Sequence, residues 1–445
     1  MKHRIVVLGA GYAGAYVAGN LARRLSPEDT EITVVNADPD FVQRLRLHQF
    51  AAGQEIETPK LADVFGGTGI RLRVARVTAL DPERRVVTVA DAHGGGELGY
   101  DTLCYALGSH VADGGVPGVP EYAFDVTGRA AALRLRERLD SLDSGDGGGS
   151  VLVVGDGLTG IETATEIAES RPGLSVTLVA RGELGARLSA GARGHLRLAC
   201  DRLGITVVEH TGVEAVEATR VLCADGTALA SDATVWAAGF AVAPIAAAGG
   251  LEVTDDGRIV VDRTMRSVSH PDVYAAGDAV HVIGDNGRPL PMSCASAGYT
   301  GKQVIAAVVG QLTGRKIPQI KLAYVGNHIS LGRRDGILQP VDEEARAKPR
   351  YVGGRKAARI KSGILKGALW ATSHPTFGLP KRRLRAAAAP DTSVGRSDGR
   401  PEAFAERADS PAQRQGSPDH RSDTPAEKSG PTAGRPESSA ETAVA

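Results

Sequence analysis

Two glycine triplets of identical spacing hold the most chemistry-specific residues of the chain: Gly9-x-Gly11-x-x-Gly14 and Gly155-x-Gly157-x-x-Gly160. That spacing suits a diphosphate. The first glycine permits a tight turn, the second leaves room for phosphate oxygens, and the third lets a helix lie close on a strand. The helix N-terminus then offers unpaired N–H groups and a positive dipole end to the anion.

Ribose hydroxyls are read by the residue that ends the next strand. In the first unit this is Asn36, with Asp38 two residues on; its amide can hydrogen-bond a hydroxyl. The second unit ends in Val179-Ala180-Arg181 and has no carboxylate there. Arg181 suits a 2′-phosphate, or is a solvated surface residue, so the second nucleotide stays open between NADH and NADPH.

The elements that position these residues form a repeat. Residues 5–24 (IVVLGAGYAGAYVAGNLARR) and 151–170 (VLVVGDGLTGIETATEIAES) share a β-branched run, a glycine turn and a helix-forming stretch. Apolar strands follow at 32–35 and 176–179, so each unit reads strand, helix, strand. Two units predict two nucleotide sites. Strands also flank the Asp81-Pro82 turn within 70–90, and apolar runs at 102–108, 233–239 and 273–278 reach small residues and glycine. A Gly-rich stretch at 143–150 reads as a loop or domain junction.

Composition narrows the classes. The chain has 445 residues, enough for two or three domains, and 52 basic residues balance 52 acidic ones, which gives no reason to expect a nucleic acid partner. Cys104, Cys200, Cys223 and Cys294 form no close pair, arguing against zinc, a disulfide scaffold or a dithiol centre. Lys2, His3 and Arg4 before an apolar run imitate a signal peptide, but the glycine spacing explains that run. No segment has the length of a spanning helix, so the expected location is cytoplasmic, with a peripheral place on the inner face of the cell membrane as the extension. Residues 386–445 are poor in large apolar side chains and read as a disordered tail.

Both fingerprints in this order, followed by Val273-Tyr274-Ala275-Ala276-Gly277-Asp278, resemble the two-dinucleotide-binding flavoproteins of the pyridine nucleotide–disulfide reductase superfamily. The resemblance implies an α/β fold: two Rossmann-like domains, the NAD(P) domain inserted in the FAD domain, and a C-terminal α+β or helical region. The bounds would be 1–115 and 241–312 for the FAD domain, 116–240 for the NAD(P)H domain, 313–385 for the C-terminal region and 386–445 for the tail. It implies an FAD site of Gly9, Ala10, Gly11, Tyr12, Ala13, Gly14, Asn36, Val77, Ala106, Gly108, Gly277 and Asp278, with Val77 at the adenine and Asp278 at the ribityl chain. Gly155, Gly157, Gly160, Arg181 and Gly239 would hold NADH or NADPH.

With no paired cysteines and no monooxygenase motif, the implied reaction is hydride transfer from NAD(P)H to flavin, then electron delivery to an external acceptor. Residues 39–53 are similar to type II NADH dehydrogenases, implying a quinone. The family's Ala-Gln and Gln quinone contacts are replaced here by PMSCASAG at 291–298. Two alternatives stand: a soluble reductase of ferredoxin or another small redox protein, and a flavin-bound redox sensor. A homodimer is a further expectation. Glu162 would orient the nicotinamide or relay a proton, or is a structural carboxylate at a helix N-terminus. Cys294 reads as a small buried thiol rather than a redox group, and His48 and His281 as satisfied polar residues.

Residues 355–371 read as a basic amphipathic helix. Ala357, Ile360, Ile364, Ala368 and Ala371 share one face; Arg355, Lys356, Arg359 and Lys366 share the other, and Lys361 falls out of pattern. With Lys381, Arg382 and Arg383 nearby, the apolar face either meets an anionic membrane or docks on the protein's own core.

Overall fold

The computed structural model describes residues 1–145, 148–377 and 383–387. The expected tail beyond residue 387, with Lys381 and Arg382, lies outside them. The chain begins with β1 (His3–Leu8), α1 (Tyr12–Arg24), β2 (Thr30–Asn36), β3 (Ile70–Val74) and β4 (Thr102–Tyr105). It continues with β5 (Ala123–Phe124), β6 (Ser150–Val154), α2 (Leu158–Ser170), β7 (Ser175–Val179), α3 (Ala190–Arg202), β8 (Thr206–Val208) and β9 (Ala233–Trp236). There follow β10 (Val273–Ala275), α4 (Cys294–Thr313), β11 (Gly326–Ser330), β12 (Gly336–Pro340), β13 (Val352–Gly353) and α5 (Gly354–Ser373).

The first sheet has five parallel strands in the order β10-β4-β1-β2-β3, and the second has five in the order β8-β7-β6-β9-β5. Read from the opposite edge, the two orders are the same. β1 matches β6, β2 matches β7, and β4 matches β9. The last strand of the first sheet comes from residues 273–275, so the second sheet is inserted within the first. Parallel strands bury both faces, hence the unbroken apolar runs. Ile5, Val7, Leu8, Val34, Val35 and Leu103 are fully buried in one core; Val153, Leu178 and Val235 are fully buried in another.

A third, antiparallel sheet runs β11-β12-β13 and leads into α5. Ile329, Leu331 and Ile337 from this region join the core of the second sheet, fixing the C-terminal region against it. Near them His195 on α3 bonds Asp335 at 2.9 Å, and Arg202 donates to the same carboxylate at 2.6 Å.

α5 divides the face that the sequence groups together. Its buried face is Ala357, Lys361, Leu365 and Thr372, whereas Ile360 and Ile364 are exposed. The face left open between a membrane and the protein's own core is thus divided: Ala357 is buried in the protein, Ile360 and Ile364 face outward, and the residue that broke the pattern faces inward.

Candidate functional site

The three glycines of each triplet do three different jobs. A Cβ on Gly9 would drive into the Ala106 carbonyl, and Gly9 has φ +89°; a Cβ on Gly14 would drive into the Gly9 carbonyl. The second loop repeats this: Gly155 (φ +119°) lies against Ala237, and Gly160 against the Gly155 carbonyl. The middle glycines differ. Among the described residues, a Cβ on Gly11 or Gly157 would meet nothing within 4 Å. The protein's own packing does not demand a glycine there, but a diphosphate drawn against the backbone does. Gly11 and Gly157 also start α1 and α2 with no capping side chain, leaving N–H groups for an anion, whereas Ser189 and Ser293 cap α3 and α4. The residues thus fit two dinucleotides.

Both loops open on one cavity of 2210 Å³. A site for a single small ligand spans about 300–1,000 Å³, so this one has room for two large ligands. It collects Gly9, Ala10, Gly11, Tyr12, Ala13, Asn36, Val77, Ala106, Gly108, Gly277 and Asp278 from the first fold unit, and Gly155, Gly157, Glu162, Arg181 and Gly239 from the second. Gly14 and Gly160 are absent from the lining because they serve the helix–strand contact. Asn36 accepts from Ala10 N–H at 2.8 Å and donates to Asp38 O at 2.7 Å, which fixes its amide at the cavity wall.

Two sets of contacts went unread in the sequence: the bracing of Asp278, and the pairing of the expected Glu162 with Lys361. Arg44 donates to the Ser109 hydroxyl at 2.9 Å and to the Ser109 carbonyl, and the Ser109 hydroxyl donates to Asp278 at 2.7 Å. Thr300 on α4 accepts from Gly277 N–H at 3.0 Å. These bonds hold the Gly277-Asp278 turn from both sides. Burial pulls the Arg44 guanidinium below its usual range, against the Asp278 and Asp125 carboxylates.

The second set lies where the second fold unit meets the C-terminal region. Glu162 on α2 accepts from Ser330 N–H at 2.8 Å and forms an ion pair with Lys361 of α5. Lys361 also donates to the His328 carbonyl at 2.7 Å. The paired side chains are only 10% and 11% exposed, and burial pulls the Lys361 ammonium down to about 7. The out-of-pattern charge in the helix was the one available signal for this pair.

The histidine expectation is also corrected. His48 lines the cavity buried, yet among the described residues its Nε2 has no partner, and His281 Nδ1 has none either. Burial pushes the His48 imidazole down to about 3, so it is neutral at physiological pH. Cys294 also lines the cavity; burial pushes its thiol up to about 11, which keeps it protonated and poorly nucleophilic.

Comparison with known proteins agrees with this geometry. The family model described as pyridine nucleotide-disulphide oxidoreductase matches residues 3–301. The chain belongs to that family. A relative called NADH dehydrogenase-like protein from Mycobacterium tuberculosis is 31% identical over 352 residues, 74% of this chain and 86% of its own. A type II NADH:quinone oxidoreductase from Staphylococcus haemolyticus is 26% identical over 391 residues, covering 82% and 94%. The solved structure of NDH2 from Plasmodium falciparum in complex with NADH has the same fold, with TM-score 0.71 at 15% identity over 85% of this chain and 97% of that one. As a pyridine nucleotide-disulphide oxidoreductase family member with two parallel sheets of one strand order, the chain has the α/β two-dinucleotide architecture that its sequence implied.

Proposed function

We propose that this oxidoreductase is an FAD-dependent NAD(P)H dehydrogenase that passes electrons to a quinone. One observation carries the reading: two open-faced glycine loops share one cavity, whose wall also holds a buried carboxylate–ammonium pair. The loop at Gly9–Gly14, with Asn36, Val77 and the braced Asp278 turn, holds FAD. The loop at Gly155–Gly160, with Arg181 and Gly239, holds the nicotinamide nucleotide. FAD, when bound, supplies the two-electron chemistry, for which no side chain of the cavity is suited. The protein aligns the two ring systems and excludes water between them. Lys361, with its ammonium near 7, gives up a proton readily at neutral pH, and Glu162 orients it; a quinone takes up two protons with its two electrons. The domain bounds 1–115, 116–240, 241–312 and 313–385 follow this division.

α5 supports a membrane-borne acceptor. Ile360, Ile364 and Trp370 are exposed beside the basic Arg355, Lys356, Arg359 and Lys366, and Ile364 also lines the cavity. That combination suits the interface of an anionic bilayer and gives a lipid-dissolved quinone a short route inward. A soluble acidic acceptor would be met by the cations but not by the isoleucines. No helix of the described residues is long and apolar enough to cross a membrane, so contact would be peripheral, on the inner face of the cell membrane.

The test is purification, an absorbance spectrum, and anaerobic titration with NADH and NADPH, followed by a menaquinone analogue. A yellow protein bleached by a nicotinamide and rapidly reoxidised by the quinone is the expected result. A colourless protein that takes up no FAD would overturn the reading. Quinone reduction no faster than autoxidation would remove the acceptor and leave the flavin chemistry.

A further inference from the structure

The two glycine loops align bond for bond. Gly9 N–H donates to Val35 O at 2.8 Å, and Gly155 N–H donates to Val179 O at 2.9 Å. Ala180 therefore stands where Asn36 stands in the first loop. Asn36 brings a polar amide to the ribose end of its site. Ala180 brings a fully buried methyl, which can accept nothing from a ribose 2′-hydroxyl.

The next residue reverses the expected charge. Arg181 is exposed and lines the cavity, and Arg187, six residues on, does the same. Among the described residues neither guanidinium has a carboxylate partner. The acids on this loop and the facing strand end are already taken: Glu183 pairs with Arg193 at 2.5 Å and Arg197 at 3.6 Å, and Glu209 accepts from Arg197 at 2.7 Å and from Leu184 N–H at 2.5 Å. Among the described residues, this edge of the second nucleotide site thus carries two unspent positive charges, and the carboxylates beside them, Glu183 and Glu209, are already paired.

We propose that this site selects nicotinamide nucleotides bearing a 2′-phosphate, with Arg181 and Arg187 as the partners of that phosphate. The proposal rests on the two-dinucleotide reading of the cavity. A dianionic phosphate matches the guanidinium fork and satisfies both arginines at once. A bare ribose hydroxyl at the same place leaves both arginines unpaired and gains no side-chain acceptor from Ala180.

The experiment uses the full-length, FAD-loaded protein and two fragments, adenosine 2′,5′-bisphosphate and 5′-AMP, compared by calorimetry. The bisphosphate is expected to bind at least about tenfold more tightly, as charge-assisted pairs of this kind allow. That margin shrinks as salt is raised. Arg181→Ala and Arg187→Ala each reduce the margin and the double variant erases it. Arg220→Ala, which removes an arginine paired with Glu217 and outside the cavity lining, retains the full margin. In parallel, NADPH bleaches the flavin at lower concentration than NADH. Equal binding of the two fragments, or a margin untouched by the double variant, overturns the proposal, while bleaching by NADH would still leave the dehydrogenase reading in place. A protein that binds neither fragment and is bleached by neither nucleotide removes both.

Discussion

Lys361 and Glu162 are 199 residues apart in sequence and form a buried ion pair in the wall of the cavity that both nucleotide loops open on. One comes from the last described helix and the other from the helix that follows the second glycine loop, so the C-terminal region completes a site that the sheets only begin. Removing the lysine leaves a carboxylate buried without its counter-charge. Lys361→Met is expected to cost about 3–5 kcal/mol of stability, the usual penalty for breaking a buried pair. Thermal unfolding checks this. Quinone turnover should fall more than the rate of flavin bleaching, because the pair serves the acceptor half of the reaction.

The same lysine predicts a pH limb. Its ammonium lies near 7 in the folded protein, below the ordinary lysine value of 10.5. Between those values the unfolded chain binds more protons than the folded one, so this group's contribution to stability improves as pH rises from 7 and is poorest below 7. Activity runs the other way. Quinone turnover is expected to decline as pH rises through about 7, as the proton donor is lost. Lys361→Arg, which stays protonated, should flatten that limb, and a pH–rate profile of both proteins decides it.

The glycine loops predict a separation of folding from binding. Gly11→Ala and Gly157→Ala add a methyl to open space, so both should unfold near the parent temperature. Gly11→Ala should emerge with depleted flavin, and Gly157→Ala should remain yellow but need more NAD(P)H for bleaching. Gly14→Ala instead forces a methyl into the Gly9 carbonyl. Its expected effect is a loss of about 1–3 kcal/mol, as for other overpacked contacts. Flavin content and melting temperature of the three variants separate the two classes.

The bracing of Asp278 predicts a weaker effect. Ser109→Ala removes the hydroxyl that links Arg44 to the Asp278 carboxylate. Loss of such bonds costs on the order of 1–3 kcal/mol when a charged partner is involved. The expected readout is faster release of FAD on dilution, measured by recovery of flavin fluorescence.

The exposed face of α5 predicts lipid dependence. Ile360→Glu with Ile364→Glu places acids where an anionic surface should meet apolar side chains. Cosedimentation with vesicles containing anionic lipid should be lost, while flavin content is kept. Binding that survives this double change would remove the membrane reading.

The glycine loops were legible in the sequence because their requirement is local. A tight turn, a close approach and a helix contact each demand glycine within six residues, whatever the rest of the chain does. Strand order was implied by the family resemblance, and the register confirms that the two units are alike. Arg44 and Ser109 were not legible, since their meaning depends on Asp278, which lies 169 residues beyond Ser109. In α5 the sequence left the direction of the apolar face open, for a physical reason. A helical wheel finds which residues share a face but assumes that charge points outward; here a buried carboxylate turns one lysine inward and the isoleucines out. His48 escaped for the complementary reason: an orphaned ring nitrogen is visible only once its surroundings are folded.

The first sheet closes only when residues 273–275 add β10 beside β4, whereas every strand of the second sheet lies between residues 123 and 236. A ribosome therefore releases the inner sheet whole while the outer one still lacks an edge. During synthesis β4 must wait with the groups of one edge unmatched, and the Gly277-Asp278 turn, which follows β10 directly, comes late, with Thr300 that braces it later still. Capture of the flavin by its complete set of contacts is thus a late event in the birth of the chain, after the partner nucleotide's fold is already in place.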